Sequence, residues 1–209
     1  MKCTTDSKLN EVFNDFFKYI QIDYKTPVEE TAKYLFENKC VGEAKIILSI
    51  TGGTKNFRVD TEIKRAFKIG LIKAAKTTDS WIISGGTDNG VMKLVGDAID
   101  EDITAHDLTV LGIVSQKYTN RNCDRPEKFL NPNHSFFIII NEEINTPFNE
   151  IELHYEIQYR TKLEKHINDE YKIPVVLICV EGGFSALESV FCALENNIPI
   201  LLLAVNTIY

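Results

Sequence analysis

Six short runs of nearly unbroken apolar residues, spread along the chain from Ala44 onward, constrain its fold more than any other feature. They are Lys45–Ile50, Trp81–Ser84, Leu108–Val114, Ser135–Ile140, Pro174–Val180 and Ile198–Leu203. A half-exposed strand alternates apolar with polar side chains, whereas a strand buried on both faces reads as a continuous run. Between most of the runs the apolar period lengthens to that of a helix. Ile63, Ala66, Phe67, Gly70, Leu71 and Ala74 form one stripe, and Val91, Leu94, Val95, Ala98 and Ile99 another. A third helix is predicted from Glu150 to Ile167 and a fourth through Leu187, Val190, Phe191 and Leu194. This alternation predicts an α/β fold: a doubly wound, mostly parallel, Rossmann-like sheet with helices on both faces.

The first forty residues read differently. Leu9, Val12, Phe13, Phe16, Phe17 and Ile20 fall at i, i+3, i+4, i+7, i+8 and i+11, the apolar face of a helix. A second helix follows, with Thr26 at the N-cap, Pro27 at the first helical position and Glu29 closing a capping box. Val28, Ala32, Leu35 and Phe36 are its apolar positions. The expected organisation is therefore an N-terminal helical segment, residues 1–42, packed on a main domain of residues 43–209.

Charge and cysteine usage narrow the function. Lys and Arg number 23 against 30 Asp and Glu, a formal charge of −7, which argues against a binder that works by neutralising nucleic-acid phosphates unless a local basic patch offsets the global sign. No apolar run approaches the roughly 18–20 residues of a membrane span, and the first residues lack the apolar core of a signal peptide. The expectation is a cytoplasmic chain with no membrane span and no nucleic-acid partner. The five cysteines are odd in number and contain no C-x-x-C pair, which predicts no disulfide framework. Cys179 and Cys192 sit in apolar runs and read as core residues. His106, His134, His154 and His166 are not interleaved with cysteines, so no zinc site is predicted.

Three of the apolar runs end in a glycine pair followed by a helix. They read Thr51-Gly52-Gly53-Thr54-Lys55, Ser84-Gly85-Gly86-Thr87-Asp88-Asn89-Gly90 and Glu181-Gly182-Gly183-Phe184-Ser185. At the carboxyl end of a parallel strand glycine permits a sharp turn and close approach of a ligand, and the next helix offers unpaired N–H groups to an anion. Three such loops on one sheet edge predict one crevice for a phosphate-bearing ligand, lined by Thr51, Gly52, Gly53, Gly85, Gly86, Thr87, Gly90, Gly182, Gly183 and Ser185. None is a P-loop and none is a full G-x-G-x-x-G, which argues against ATP hydrolysis and nicotinamide chemistry. Arg160, late in the third helix, has the fork that suits a diphosphate, or else pairs with Glu156 four residues earlier. Lys162 and Arg121 are further candidate cations, and Tyr118 could stack on a base; ordinary surface charge is the competing reading for the cations. His134 reads as a satisfied structural residue and Trp81 as core, while Lys64, Arg65, Lys73 and Lys76 read as a solvated helix face.

The ordered set Ile50–Phe57, Gly70–Thr78, Trp81–Thr87, Gly90–Lys93, Asn133–Phe137, Arg160–Lys165, Ile173–Val176 and Glu181-Gly-Gly resembles one family across residues 44–204. It is similar to the cytosolic N-terminal SLOG domain of melastatin-type transient receptor potential (TRPM) cation channels, of a superfamily that includes the cytokinin-activating phosphoribohydrolases. The resemblance implies a Rossmann-like sensor of a nucleotide-derived ligand such as ADP-ribose or a related adenosine phosphate, with no required cofactor. It also implies other channel domains or subunits as partners, in a homotetramer where the chain forms part of a calcium-permeable channel. Two departures stand out. The last glycine loop carries Phe184-Ser185-Ala186 where relatives carry Pro-Gly-Thr. Ser189 occupies the position of the hydrolase branch's catalytic glutamate, with Glu188 one residue early, which argues against phosphoribohydrolase activity. A stand-alone phosphoribohydrolase and an assembly domain that has lost its ligand are the alternatives. The chain ends just after its last predicted strand, which fits either a channel fragment or a short stand-alone relative.

Overall fold

The apolar runs are strands, and they lie side by side. A computed structural model describes residues 10–14, 17–37, 41–54, 57, 59–118, 130–141 and 155–203, with the backbone alone at 10–14, 17 and 118. Eight strands form one sheet: β1 (Asn10–Asn14), β2 (Phe17–Asp23), β3 (Ile46–Gly52), β4 (Ser80–Ser84), β5 (Val110–Ser115), β6 (Phe136–Asn141), β7 (Val175–Val180) and β8 (Ile200–Leu203). Their order is β1-β2-β6-β5-β4-β3-β7-β8. Every neighbouring pair is parallel except β1 with β2. The helices are α1 (Val28–Glu37), α2 (Thr61–Thr78), α3 (Gly90–Glu101), α4 (Tyr155–Tyr171) and α5 (Phe184–Glu195).

Alternation along each strand splits the core in two. Ile47, Trp81, Ile83, Leu111, Ile113 and Ile138 point to the face covered by α1, α4 and α5, while Leu48, Ile50, Ile82 and Val110 point to the face covered by α2 and α3. Both faces of β3, β4, β5 and β6 are buried, which is why those strands read as unbroken apolar runs. Trp81 is core, as expected, and its Nε1–H donates to Gly42 O at 2.7 Å, so the indole's one donor is satisfied inside the core.

The N-terminal helix expected through residues 9–20 gives way, at the described residues 10–14 and 17–20, to the strands β1 and β2; Leu9 and Phe16 lie outside the described residues. Tyr19–Asp23 pairs in parallel register with Phe137–Asn141. Without β2, the interior strand β6 would present a row of unmet N–H and C=O groups, and pairing satisfies them. Ile20 and Ile22 are both buried, a period of two that the longer helical pattern masks. The second predicted helix is α1, which begins one residue later than its capping pattern suggested, with Glu30 N–H donating to Pro27 O. It is fastened to α4 by a 2.7 Å hydrogen bond between Thr31 and Tyr159, and Phe36 stacks on Trp81 and Tyr171. Cys179 lies buried in β7 as predicted, whereas Cys192 is half-buried on α5 rather than in the core. Among the described residues, no helix is long and apolar enough to cross a membrane, and no group of three or more His, Cys, Asp or Glu could hold a metal ion.

Candidate functional site

From β3 the chain steps outward through β4, β5 and β6, then returns to place β7 on the other side of β3. That reversal is a topological switch point, and the crevice outside the carboxyl ends of β3 and β7 is where open α/β sheets bind ligands. The three glycine loops follow β4, β3 and β7, which are consecutive in the sheet. The structure therefore brings Thr51, Gly52, Gly53, Gly85, Gly86, Thr87, Gly90, Gly182, Gly183 and Ser185 to a single edge.

Backbone contacts tie the three loops together. Gly53 N–H donates to Val180 O at 3.2 Å, joining the first loop to the third, and Val91 N–H donates to Gly53 O at 2.9 Å, joining the second to the first. Two glycines make this closeness possible. A Cβ on Gly52 would lie 2.2 Å from Val180 O, and one on Gly90, whose φ is +54°, would lie 2.0 Å from Gly53 O. Side chains add a third tie: Thr51 Oγ1 donates to Ser189 Oγ at 3.1 Å, and Ser189 donates to Ser185 O at 3.0 Å in the first turn of α5.

Beneath these loops lies a polar cluster in an otherwise apolar layer. Arg160 is only 5% exposed. Its NH1 donates to Ile50 O and its NH2 to Ser189 Oγ, both at 3.4 Å, while Nε stands 3.8 Å from Glu164 Oε1. Arg160 is therefore neither a solvated surface residue nor splayed into the crevice. It holds the floor, reaching the strand end before the first loop and the helix start after the third. Burial raises the Glu164 carboxyl above its ordinary range, against the pull of Arg160 and the Ser49 hydroxyl. Ser189, read from sequence only as a missing glutamate, is a buried hinge-pin between Thr51, Arg160 and Ser185. The sole sequence signal for this cluster was two hydroxyls, Ser49 and Thr51, inside an apolar strand; period two turns both toward α4 and α5.

The second loop is clamped separately. Asn131 Nδ2 donates to Asp88 Oδ1 at 2.8 Å, which leaves its Oδ1 facing His134 Nδ1 at 3.2 Å. Nδ1 therefore carries the proton, and Nε2 accepts from the Ser84 hydroxyl at 2.8 Å. Ser84 Oγ in turn accepts from Gly86 N–H at 3.1 Å. The order resembles a nucleophile–base–amide relay, but Ser84 and His134 are fully enclosed, so the relay is structural. Burial pushes the His134 imidazole down to about 3, and it stays neutral.

The three helix starts differ in what they can offer an anion. At α2 the Asp60 carboxylate takes the Glu62 N–H, so that end is already occupied by negative charge. At α3 the Val91 N–H is committed to Gly53 O, which leaves the Gly90 and Met92 amides on either side of it. At α5 the N-cap is Gly183, and the Phe184, Ser185 and Ala186 amides have no acceptor among the described residues. Beside them Glu181 sits in the left-handed region at φ +54°, with its carboxylate Oε2 3.7 Å from where a Gly53 Cβ would be. The crevice thus pairs one open anion seat with one carboxylate acceptor. Of the other predicted residues, Lys162 is exposed on α4, close enough to α5 to act on the Cys192 thiol. Tyr118 ends a short 3-10 turn after β5, and Arg121 lies outside the described residues.

Comparison with known proteins agrees with this architecture. A family model described as SLOG in TRPM matches residues 17–118 and 104–206. The chain is 29% identical to mouse transient receptor potential cation channel subfamily M member 2 over 93% of its length, and 29% identical to human member 7 over 88%. It is 26% identical to the member-like 2 protein of Nematostella vectensis over 87%. It spans only 15%, 11% and 14% of those three proteins respectively. With matching segments that run from β2 through β8 and take in all three glycine loops, the chain belongs to the family of SLOG domains found in TRPM proteins.

Proposed function

We propose that this domain is a ligand-sensing part of a TRPM-type cation channel, on its cytosolic side, and that the switch-point crevice binds a nucleotide-derived ligand such as ADP-ribose or a related adenosine phosphate. The observation that carries the reading is the set of three tied glycine loops around one open helix start. A phosphate at the Phe184–Ala186 amides gains both hydrogen bonds and the helix dipole. Glu181, beside that seat, accepts from a sugar hydroxyl and favours a ligand that presents donors next to its phosphate. Arg160 and Lys162 supply positive potential from below and from α4, and Arg121 and Tyr118 are the further residues proposed for the ligand, as a cation for phosphate and as a ring for a base. Such a ligand regulates a channel through its difference in affinity between closed and open states.

Binding rather than catalysis is the reading for this crevice, because the α5 position that would carry a catalytic carboxylate is Ser189, buried and hydrogen-bonded to Thr51 and Arg160. A thermal-shift panel of ADP-ribose, AMP, ADP, NAD and cyclic ADP-ribose tests the proposal. Ligand at 100 times its dissociation constant stabilises by about 2.7 kcal/mol, a shift of several degrees at this size. A selective shift supports a sensor. A folded sample with no shift across the panel refutes it, and release of free base from a nucleoside monophosphate would point instead to a hydrolase.

A further inference from the structure

The outer surface of α5 is apolar where a solvent-facing helix surface is ordinarily polar. Phe184, Leu187, Phe191 and Leu194 are 70%, 66%, 58% and 61% exposed. At about 100° per residue they fall within an arc of about 80°, centred about 150° round from the buried Ala186, Ser189 and Ala193. Their spacing of three, four and three residues is the alternation of a two-helix seam, in which each exposed side chain is a knob for a facing helix. This stripe is therefore a helix-packing surface and not scattered surface leucines.

Its position in the fold gives the same answer. Arg160 and Lys162 act on the Cys192 thiol, which places α4 on that flank of α5. The stripe lies on the other flank, toward the edge strand β8. Ile200 packs beneath α5, and Leu202, two residues on and so on the same face of the sheet, is 63% exposed. Parallel sheets are covered by helices on both faces, and among the described residues no helix covers β8 beside the exposed α5 stripe.

Charge identifies the occupant. Glu188 and Glu195 border the stripe one heptad apart, and α5 contains no lysine or arginine. A second copy of this chain, packed through a two-fold axis, would set these glutamates against their own counterparts. We propose that α5 and Leu202 form the seat of a partner helix of opposite character: amphipathic, with an apolar 3.5-residue seam and lysine or arginine along its flanks. The surface adjoins the third glycine loop at Phe184, which gives its amide to the anion seat and its ring to the stripe; Leu187, Phe191 and Leu194 lie beyond that seat.

The test uses the full chain and two fluorescein-labelled synthetic helices of three heptads, about 21 residues each. Both carry leucine at the seam; one has lysine at the flanking positions and the other glutamate. By fluorescence anisotropy the lysine helix is expected to bind at least tenfold tighter than the glutamate helix. Phe191→Asp is expected to weaken the lysine helix at least tenfold while leaving the melting temperature in place, because the ring is exposed. Glu188→Lys with Glu195→Lys is expected to invert the preference. Equal affinity for the two helices, no binding of either, or no effect of Phe191→Asp overturns the proposal. So does a dimer in sedimentation that Phe191→Asp dissociates, since the seat would then belong to a second copy.

Discussion

Gly183 offers a way to separate the anion seat from the stability of the fold. It is the N-cap of α5, its φ of −108° is open to any residue, and nothing lies within 4 Å of a Cβ built there. Gly183→Asp therefore fits, and its carboxylate takes the first-turn amides that a phosphate would use. Aspartate is a slightly better cap than glycine and favours the helix dipole, so the variant gains about 0.5 kcal/mol, or about 1–2 °C. For binding, two unit charges about 4 Å apart repel by about 1 kcal/mol in water and about 4 kcal/mol near a protein surface. A loss of about 2 kcal/mol, roughly 30-fold in affinity, is expected for ADP-ribose by titration calorimetry, and it shrinks as salt is added. Gly183→Ala is the control. Alanine is a poorer cap, so this variant melts slightly lower, yet it brings no charge and keeps the affinity within about twofold. The two substitutions thus move stability and affinity in opposite orders. Equal affinities for the alanine and aspartate variants would refute the reasoning, because the anion could not then be seated on α5.

Three further outcomes follow from the same geometry. Arg160→Ala alone leaves Glu164 buried without its cation and is expected to cost about 3–5 kcal/mol, so the informative variant is Arg160→Met with Glu164→Leu; its unfolding free energy from urea denaturation should stay within about 1 kcal/mol of the parent while ligand affinity falls at least tenfold, and unchanged affinity would remove Arg160 from the site. His134 is buried neutral and protonates only on unfolding, so its stabilisation is complete above pH 6.5 and is lost as pH falls toward 3; between pH 6.5 and 5 this amounts to about 2 kcal/mol, which His134→Gln should abolish when denaturation curves are compared at the two pH values. Glu164, raised by burial, pulls in the opposite sense in both proteins and cancels from that comparison. Gly90→Ala combines left-handed strain with a clash against the first loop, and is expected to cost at least about 3 kcal/mol by urea denaturation; a loss under 1 kcal/mol would show that the loops are not tied through Gly53 O.

What the sequence revealed depended on whether the deciding interaction was local. Each doubly buried strand announces itself, because only a few small hydroxyl residues interrupt the apolar run on either face; Trp81–Ser84 and Pro174–Val180 are found within one or two residues of β4 and β7. The glycine loops are equally legible, since the turn chemistry lies in the loop itself. The N-terminal strands are not, because their pairing is decided by the open edge of β6, more than a hundred residues away. Phe13, Phe16, Phe17 and Ile20 satisfied a helical period by coincidence, while the two-residue period of Ile20 and Ile22 was too short to prevail. The role of Arg160 failed to show for a similar reason. An arginine on a helix with a glutamate four residues away reads as exposed; only the Ser49 and Thr51 face of β3 reveals that this side of α4 is packed inward.

The same distinction changes what three glycine loops mean. By pattern they are equivalent, each a glycine pair before a helix, and would suggest three seats for negative charge. In the fold, Asp60 caps α2 and the Gly53 carbonyl takes the Val91 amide of α3, so two of the loops serve mainly as walls and α5 is the start whose first-turn amides are all open. The walls have a function of their own. Because Gly53, Val91, Val180, Thr51 and Ser189 are already bonded to one another, a ligand that settles on α5 orders little backbone, and the entropy cost of binding falls mainly on the ligand. One open seat also sets a limit on the ligand. A monophosphate can be satisfied at the α5 amides alone, whereas a diphosphate must draw on Arg160 through the crevice floor, or on Lys162 at its rim, for its second charge. AMP should therefore lose far less affinity than ADP-ribose when Arg160 and Glu164 are replaced together. If the two ligands lose affinity equally, both phosphates sit on α5 and the floor arginine acts only by holding the loops in place.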